Sequence, residues 1–180
     1  IRNCLVGSEM CIRDSPDSHE LCLGMPGMHG NYTAVTSMQK ADLLVALGAR
    51  FDDRVTGKVD GFAPDAKIIH VDIDPAEIGK VRKPDVAITG DCRLVIEAMV
   101  DLLKKQGSTP TDRSEWKSSI SGWQERFPLT YENSEPGSKL KPQFVIEQLR
   151  DLAPDDAIVA SGVGQHQMWT SQYWNFDSPY

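Results

Sequence analysis

The sequence contains no apolar run approaching the roughly 20 residues that cross a bilayer, and no secretory signal peptide opens it. A cytoplasmic protein without membrane association is therefore expected. Cysteine is scarce: Cys4, Cys11, Cys22 and Cys92 match neither a zinc nor a redox spacing, which excludes a disulfide framework and a zinc ribbon. No cluster of His, Cys, Asp and Glu has metal-ligand spacing. There is no Gly-x-Ser-x-Gly nucleophile elbow. No Gly-x-Gly-x-x-Gly fingerprint appears either, which weighs against ordinary nicotinamide binding. A surplus of basic charge is also missing. The 180 residues carry a formal net charge of -7, so a general nucleic-acid partner, which needs a basic face for phosphate, is not expected. What is present is ordinary for a globular chain of one domain or somewhat more, with 40% hydrophobic and 25% charged residues.

Residues 1–15 read differently from the rest. They show no apolar periodicity, and Glu9-Met10-Cys11-Ile12-Arg13-Asp14-Ser15 resembles the in-frame translation of a transposon-end sequencing adapter. They are set aside as a non-native leader. From Leu23 the pattern is regular. Leu23-Gly24-Met25-Pro26-Gly27-Met28-His29-Gly30 is a loop, and Asn31 caps a helix to about Lys40 with Ala34, Met38 and Ala41 on one face. Leu43–Leu47 is a short apolar strand, expected to be buried on both sides. Arg50–Gly61 reads as a polar loop. Lys67–Asp74 is a β-branched strand stopped by Pro75, with a helical turn over Ala76–Gly79. Val86–Thr89 is a third strand, and Leu94–Lys105 has helical spacing.

Strands alternating with helices imply an open parallel α/β sheet. The Gly/Ser/Thr/Pro stretch 106–111 marks the end of this domain, 16–105. A connecting helix, Arg113–Phe127, carries Trp116, Ile120, Trp123 and Phe127 as a core stripe. Residues 106–141 form the linker. Residues 142–180 begin a second α/β domain, with a helix over Pro142–Leu152, a buried strand at Ala157–Ala160 and a tight turn at Gly162-Val163-Gly164.

In open parallel sheets, ligands bind outside the carboxyl ends of the strands. The first strand delivers Gly48, Arg50, Asp52, Asp53 and Arg54, in which glycine permits close backbone approach and arginine suits a pyrophosphate. The second delivers Asp72 and Asp74, carboxylates that can accept hydrogen bonds from ribose hydroxyls. The third delivers Gly90 and Asp91. Together they predict a dinucleotide crevice. Each has a plainer reading. The Arg50–Arg54 charges suit a solvated salt-bridge loop, Asp74 suits a cap before Pro75, and His70, in mid-strand, suits the core. His29 and His166 sit among glycines, where the backbone turn carries as much of the argument as the imidazole.

Three motifs occurring in order are more specific: Leu23–Gly30, Gly48-Ala49-Arg50-Phe51-Asp52-Asp53-Arg54-Val55-Thr56-Gly57, and Gly162-Val163-Gly164-Gln165-His166-Gln167-Met168-Trp169. Together they resemble the acetolactate (acetohydroxyacid) synthase large catalytic subunit family from about residue 19 to Tyr180. The Met25-Pro26 variant is similar to actinobacterial members. The resemblance implies a Rossmann-like, FAD-binding middle domain, with the flavin a structural requirement. Its flavin contacts would come from His29, Gly30, Gly48, Arg50, Asp52, Arg54, Val55, Asp72, Ile73, Glu77, Gly90 and Asp91. Val163, Gly164, Gln165 and His166 would lie beside thiamine diphosphate, and Met28 and Asp53 near the substrate channel. The implied reaction joins pyruvate, after loss of carbon dioxide, to a second pyruvate or to 2-oxobutyrate, the committed step towards branched-chain amino acids. The resemblance places the family's activating glutamate upstream and its Mg²⁺ ligands downstream of these residues. No catalytic or metal-binding residue is thus expected within the chain, and the chain by itself is expected to be inactive. It also implies a homodimer or larger assembly, with a small regulatory subunit as a possible partner.

Two alternatives remain at this point. Another thiamine-diphosphate carboligase or decarboxylase would share Asp72-Ile73-Asp74-Pro75 without the Arg50–Gly57 and Gly162–Trp169 runs together. A non-catalytic flavoprotein module would explain the strand ends and leave Gly162–Trp169 unexplained.

Overall fold

The computed structural model describes residues 16–107, 109, 111–135 and 137–177. Residues 1–15, which the sequence reading sets aside as a leader, lie outside the described residues with Cys4 and Cys11, as do Ser108, Pro110 and Tyr180. The elements are α1 (Tyr32–Gln39), β1 (Leu43–Leu47), α2 (Asp53–Thr56), a 3-10 turn at Val59–Gly61, β2 (Lys67–Asp72) and β3 (Val86–Thr89). They continue with α3 (Cys92–Lys105), α4 (Ser114–Arg126), α5 (Pro142–Leu152) and α6 (Gln165–Tyr173). Two compact units result. Among the described residues one is Thr36–Ser119, and the other comprises 16–35 with 120–177.

The first unit is built on a parallel three-stranded sheet in the order β1-β2-β3. Val45 lies opposite Ile69, and Ile69 opposite Val86, so the strands run in step. Successive side chains of a strand point to opposite faces. In β2, Ile68 and His70 therefore face one way and Ile69 and Val71 the other, and all but the half-buried Ile69 are sealed from solvent. Ile68 joins Phe51, Phe62, Ala63 and Ala66 in the core, flanked by Met38, Leu44 and Ala46. Phe51 meets Phe62 edge-on at 6.1 Å. Burying each such large side chain contributes about 1.5–3 kcal/mol, which makes this cluster the main support of the sheet. Helix α3 packs on β2 and turns the half-buried Val95 and Met99 inward.

Local chemistry sets several element ends. Asn31 Oδ1 accepts the Ala34 amide at 2.7 Å and caps α1. Asp52 caps α2 through the Val55 amide, and Asp91 caps α3 through the Leu94 amide. These carboxylates satisfy amides that a helix start leaves without a partner. Pro142 opens α5, where its missing N–H costs nothing.

In the second unit, α5 packs against α6. Tyr131 donates its hydroxyl to Glu147 of α5 and stands edge-on to Tyr173 of α6 at 5.5 Å. The two ends of this unit are stitched reciprocally. Asp17 N donates to the Phe176 carbonyl at 2.9 Å, and Phe176 N donates to Asp17 Oδ2 at 2.8 Å.

Four expectations need correction. Among the described residues β1 is an edge strand with Val45 exposed, not a strand buried on both faces: the face of the sheet that carries Val45 also leaves Ile69 opposite it half-buried and Val86 exposed. Ala157–Ala160 forms no strand. Among the described residues no strand pairs with it, a strand needs a partner for its amides, and Ile158 stands in solvent. The Arg50–Gly61 loop contains α2 and the 3-10 turn. The α4 stripe is buried only at Trp116 and Ile120; Phe127 lies past the helix end and meets the Tyr32 ring at 4.0 Å.

Candidate cofactor sites

Within the first unit, the parallel register brings the three strand exits to one edge of the sheet. Leu47 pairs with Val71, and Asp72 with Thr89. The Gly48 amide donates to the Val71 carbonyl at 2.8 Å, and the Gly90 amide to the Asp72 carbonyl at 2.9 Å. Gly48, Asp72 and Gly90 are therefore adjacent on a common rim, with Arg50 two residues beyond the first exit and Asp91 one beyond the third. Gly48 adopts φ +62, a left-handed conformation that disfavours side chains, and a Cβ there would sit 3.5 Å from Cys92 Sγ.

The carboxylates on this rim differ in what they have left to offer. Asp72 is buried, and its Oδ1 accepts the Asp74 amide at 2.9 Å. Asp74 Oδ1 accepts the Ala76 amide, the capping role that its place before Pro75 suggests. Asp52 and Asp91 each spend one oxygen as helix caps. Asp53 and Arg54 stand out in solvent, 3.9 Å apart, a pairing worth little. Ile73 is exposed and Val55 half-buried beside them. Glu77 pairs with Lys80 at 2.7 Å. The rim thus offers arginine and glycine to a pyrophosphate, and Asp72 to hydroxyls.

Met28, His29, Gly30 and Val163–His166 belong to the second unit. The loop over Leu23–Asn31 is tied to itself. Gly30 N donates to the Gly27 carbonyl at 3.0 Å, Asn31 N to Met25 at 3.0 Å, and Asn31 Nδ2 to Leu23 at 2.5 Å. A Cβ at Gly30 would collide with the Met25 carbonyl and Pro26. The loop holds Met28 out, 66% exposed. At the other segment, the His166 ring folds back over the turn, and a Cβ on Gly162 or Gly164 would meet it at 3.3 or 3.1 Å. Helix α6 begins directly after this turn at Gln165, so its first amides point toward the loop, as in anion-binding helix starts. A cleft of about 370 Å³ in this unit is lined by Asp17, Cys22, Asn31, Thr33, Gln124 and Gln172 among others. Burial of Asp17 beside it raises that carboxyl's pKa. Among the described residues, no group of three or more His, Cys, Asp or Glu is placed to hold a metal.

Some of these features had no sequence signal. Gln172 donates to the His29 carbonyl at 2.7 Å across 143 positions, and Asp17 finds Phe176 across 159. Neither residue belongs to a motif, and only a fold model or co-varying positions could have paired them.

Residues 10–99 match the family described as thiamine pyrophosphate enzyme, central domain. The chain belongs to that family. The strand exits at Gly48, Asp72 and Gly90 lie within the matched residues. The chain is also 51% identical over 175 residues to the acetolactate synthase large subunit of Corynebacterium glutamicum, covering 97% of this chain and 28% of that protein. It is 50% identical over 165 residues to an acetolactate synthase of Mycobacterium bovis, covering 91% and 26%. To acetolactate synthase 1, chloroplastic, of Oryza sativa subsp. japonica it is 44% identical over 171 residues, covering 94% and 26%. This thiamine pyrophosphate enzyme segment thus spans about a quarter of the length of the curated relatives it matches. Among its described residues, no helix is long and apolar enough to cross a membrane.

Proposed function

We propose that the complete protein carrying this chain is the catalytic large subunit of an acetolactate synthase. It would join two pyruvates, or pyruvate and 2-oxobutyrate, with release of carbon dioxide, on the route to branched-chain amino acids. The observation that carries this reading is the shared rim of Gly48, Asp72 and Gly90 in a chain half identical to proteins of that name. The residues fit the cofactors such an enzyme needs. FAD would lie along the first unit's rim, its pyrophosphate on Gly48, Arg50 and Arg54 and its hydroxyls at Asp72. Val55, Ile73 and Glu77 would line it, with Asp52, Gly90 and Asp91 at its margins. Asp72 suits the role because one carboxylate oxygen remains beyond the Asp74 amide.

Thiamine diphosphate would rest beside Val163, Gly164, Gln165 and His166, where the start of α6 favours negative charge. When bound, it supplies the electron sink for decarboxylation of a 2-oxo acid. The residues here would hold and orient it, and Met28, in the same unit, would border the path of the 2-oxo acids. Mg²⁺ completes the cofactor set. A cytoplasmic homodimer or larger assembly, with a small regulatory subunit as partner, belongs to the same reading.

The test is an assay of the complete coding product with thiamine diphosphate, Mg²⁺, FAD and pyruvate. Acetolactate and carbon dioxide in equal amounts are expected. Release of free aldehyde instead would assign a decarboxylase, and no consumption of pyruvate would reject the reading.

A further inference from the structure

Helix α6 carries more than the Gln165–His166 turn. Seven residues beyond Gln165, Gln172 projects its amide to the loop that holds Met28, and Gln172 Nε2 donates to the His29 carbonyl at 2.7 Å in a partly buried position. We propose that Gln172 is a positioning residue that sets the Met28–Gly30 turn against α6, and so fixes the passage by which a 2-oxo acid reaches the cofactor. This rests on the acetolactate synthase reading for the identity of the substrate.

The loop is closed upon itself by the Gly30, Asn31 and Asn31 side-chain hydrogen bonds, and the backbone at Gly30 leaves no room for a side chain. Such a loop moves as one piece. A tie at the His29 carbonyl therefore sets where the adjacent Met28 side chain stands. The other end of the tie is equally fixed. Next to Gln172, Tyr173 packs edge-on against Tyr131, whose hydroxyl is held by Glu147 of α5. Nearer the helix start, Thr170 Oγ1 donates to the His166 carbonyl at 2.8 Å. One helix thus links the Gln165–His166 turn to the Met28 loop through the Gln172 amide. A carbonyl accepts and cannot donate, so the side chain here must be a donor of this reach.

Gln172→Met keeps length and volume and removes the donor; Gln172→Lys restores a donor of similar reach. In the Met variant, amide hydrogen exchange at Gly30 and Asn31 should accelerate about 5- to 10-fold, the opening expected from one lost hydrogen bond. In the complete protein, the pyruvate KM should rise several-fold with kcat nearly unchanged, the mark of lost positioning in the ground state. The Lys variant should return both towards the parent values. Unchanged exchange in the Met variant, a fall in kcat at constant KM, or no recovery with lysine would each overturn the proposal. If the parent protein forms no acetolactate, the functional reading fails, and the exchange comparison still decides by itself whether Gln172 positions the loop.

Discussion

The Gly90 amide donates to the Asp72 carbonyl at 2.9 Å, which joins the exits of β2 and β3 at one level and leaves the Asp72 carboxylate at the rim between them. Asp72→Asn preserves an acceptor for the Asp74 amide while converting one carboxylate oxygen to a donor. Hydrogen bonds to a charged acceptor contribute about 1.5–3 kcal/mol. The substitution should therefore weaken FAD binding about 10- to 100-fold with little change in thermal midpoint. Equilibrium dialysis of the complete protein measures it; unaltered flavin affinity would remove Asp72 from the site.

His70 sits in β2 with 1% of its surface exposed, neither ring nitrogen hydrogen-bonded, and its ring edge-on to Phe51 at 5.2 Å. An unsatisfied buried polar group costs about 1–3 kcal/mol. His70→Leu, close in volume and free of polar atoms, should raise the thermal midpoint of the chain. A lower midpoint would mean that the imidazole is held by a partner such as a buried water.

Burial raises the Asp17 carboxyl above 3.8, with the charge of Asp177 adding to the rise, against the lowering effect of the Phe176 amide and Cys22 thiol hydrogen bonds. The folded state then holds this proton more tightly than the unfolded one. Stability falls as pH rises from 3.8 through the raised value and is level above it. Asp17→Asn keeps an acceptor for Phe176 N at every pH. It should be at least as stable as the parent at neutral pH and should flatten the acid limb. Chemical denaturation across the acid range checks this, and an unaltered limb would assign it elsewhere.

Tyr131, hydrogen-bonded to Glu147, has its phenol pushed up from 10.0 to about 12, chiefly by that bond, then by desolvation and the Glu147 charge. A raised phenol pKa contributes stability below 10.0 that is lost as pH climbs to about 12. Burial and the Glu147 charge also raise Tyr173, and ultraviolet titration should resolve the Tyr131 ionisation as a separate late step near 12. Glu147→Gln should bring that step back towards 10.0, and Tyr131→Phe should abolish it.

Much of the architecture was legible residue by residue. Leu43–Leu47, Val86–Thr89 and Pro142–Leu152 are bounded in the sequence as they are in space, because short apolar runs, glycine stops and a first-turn proline act over a few neighbouring residues. Asn31 as a cap and the strand exits at Gly48, Asp72 and Gly90 follow from the same local chemistry.

Other features depend on partners far along the chain. Val45 and Ile68 come from equally apolar runs, yet only Ile68 is sealed, because the two stand on opposite faces of the sheet and burial is set by face rather than by composition. Ala157–Ala160 has the composition of a strand and no described neighbour to pair with. Asp52 and Asp91 look like free ligands in the sequence, and in space each gives an oxygen to a helix start. Gln172 belongs to no motif and acquires its partner only when the fold brings His29 within 2.7 Å. Local propensity and strand-end chemistry were written in the residues themselves; strand order, burial and long-range pairing had to wait for tertiary structure, since a hydrogen bond or a buried face exists only once both of its sides are in place.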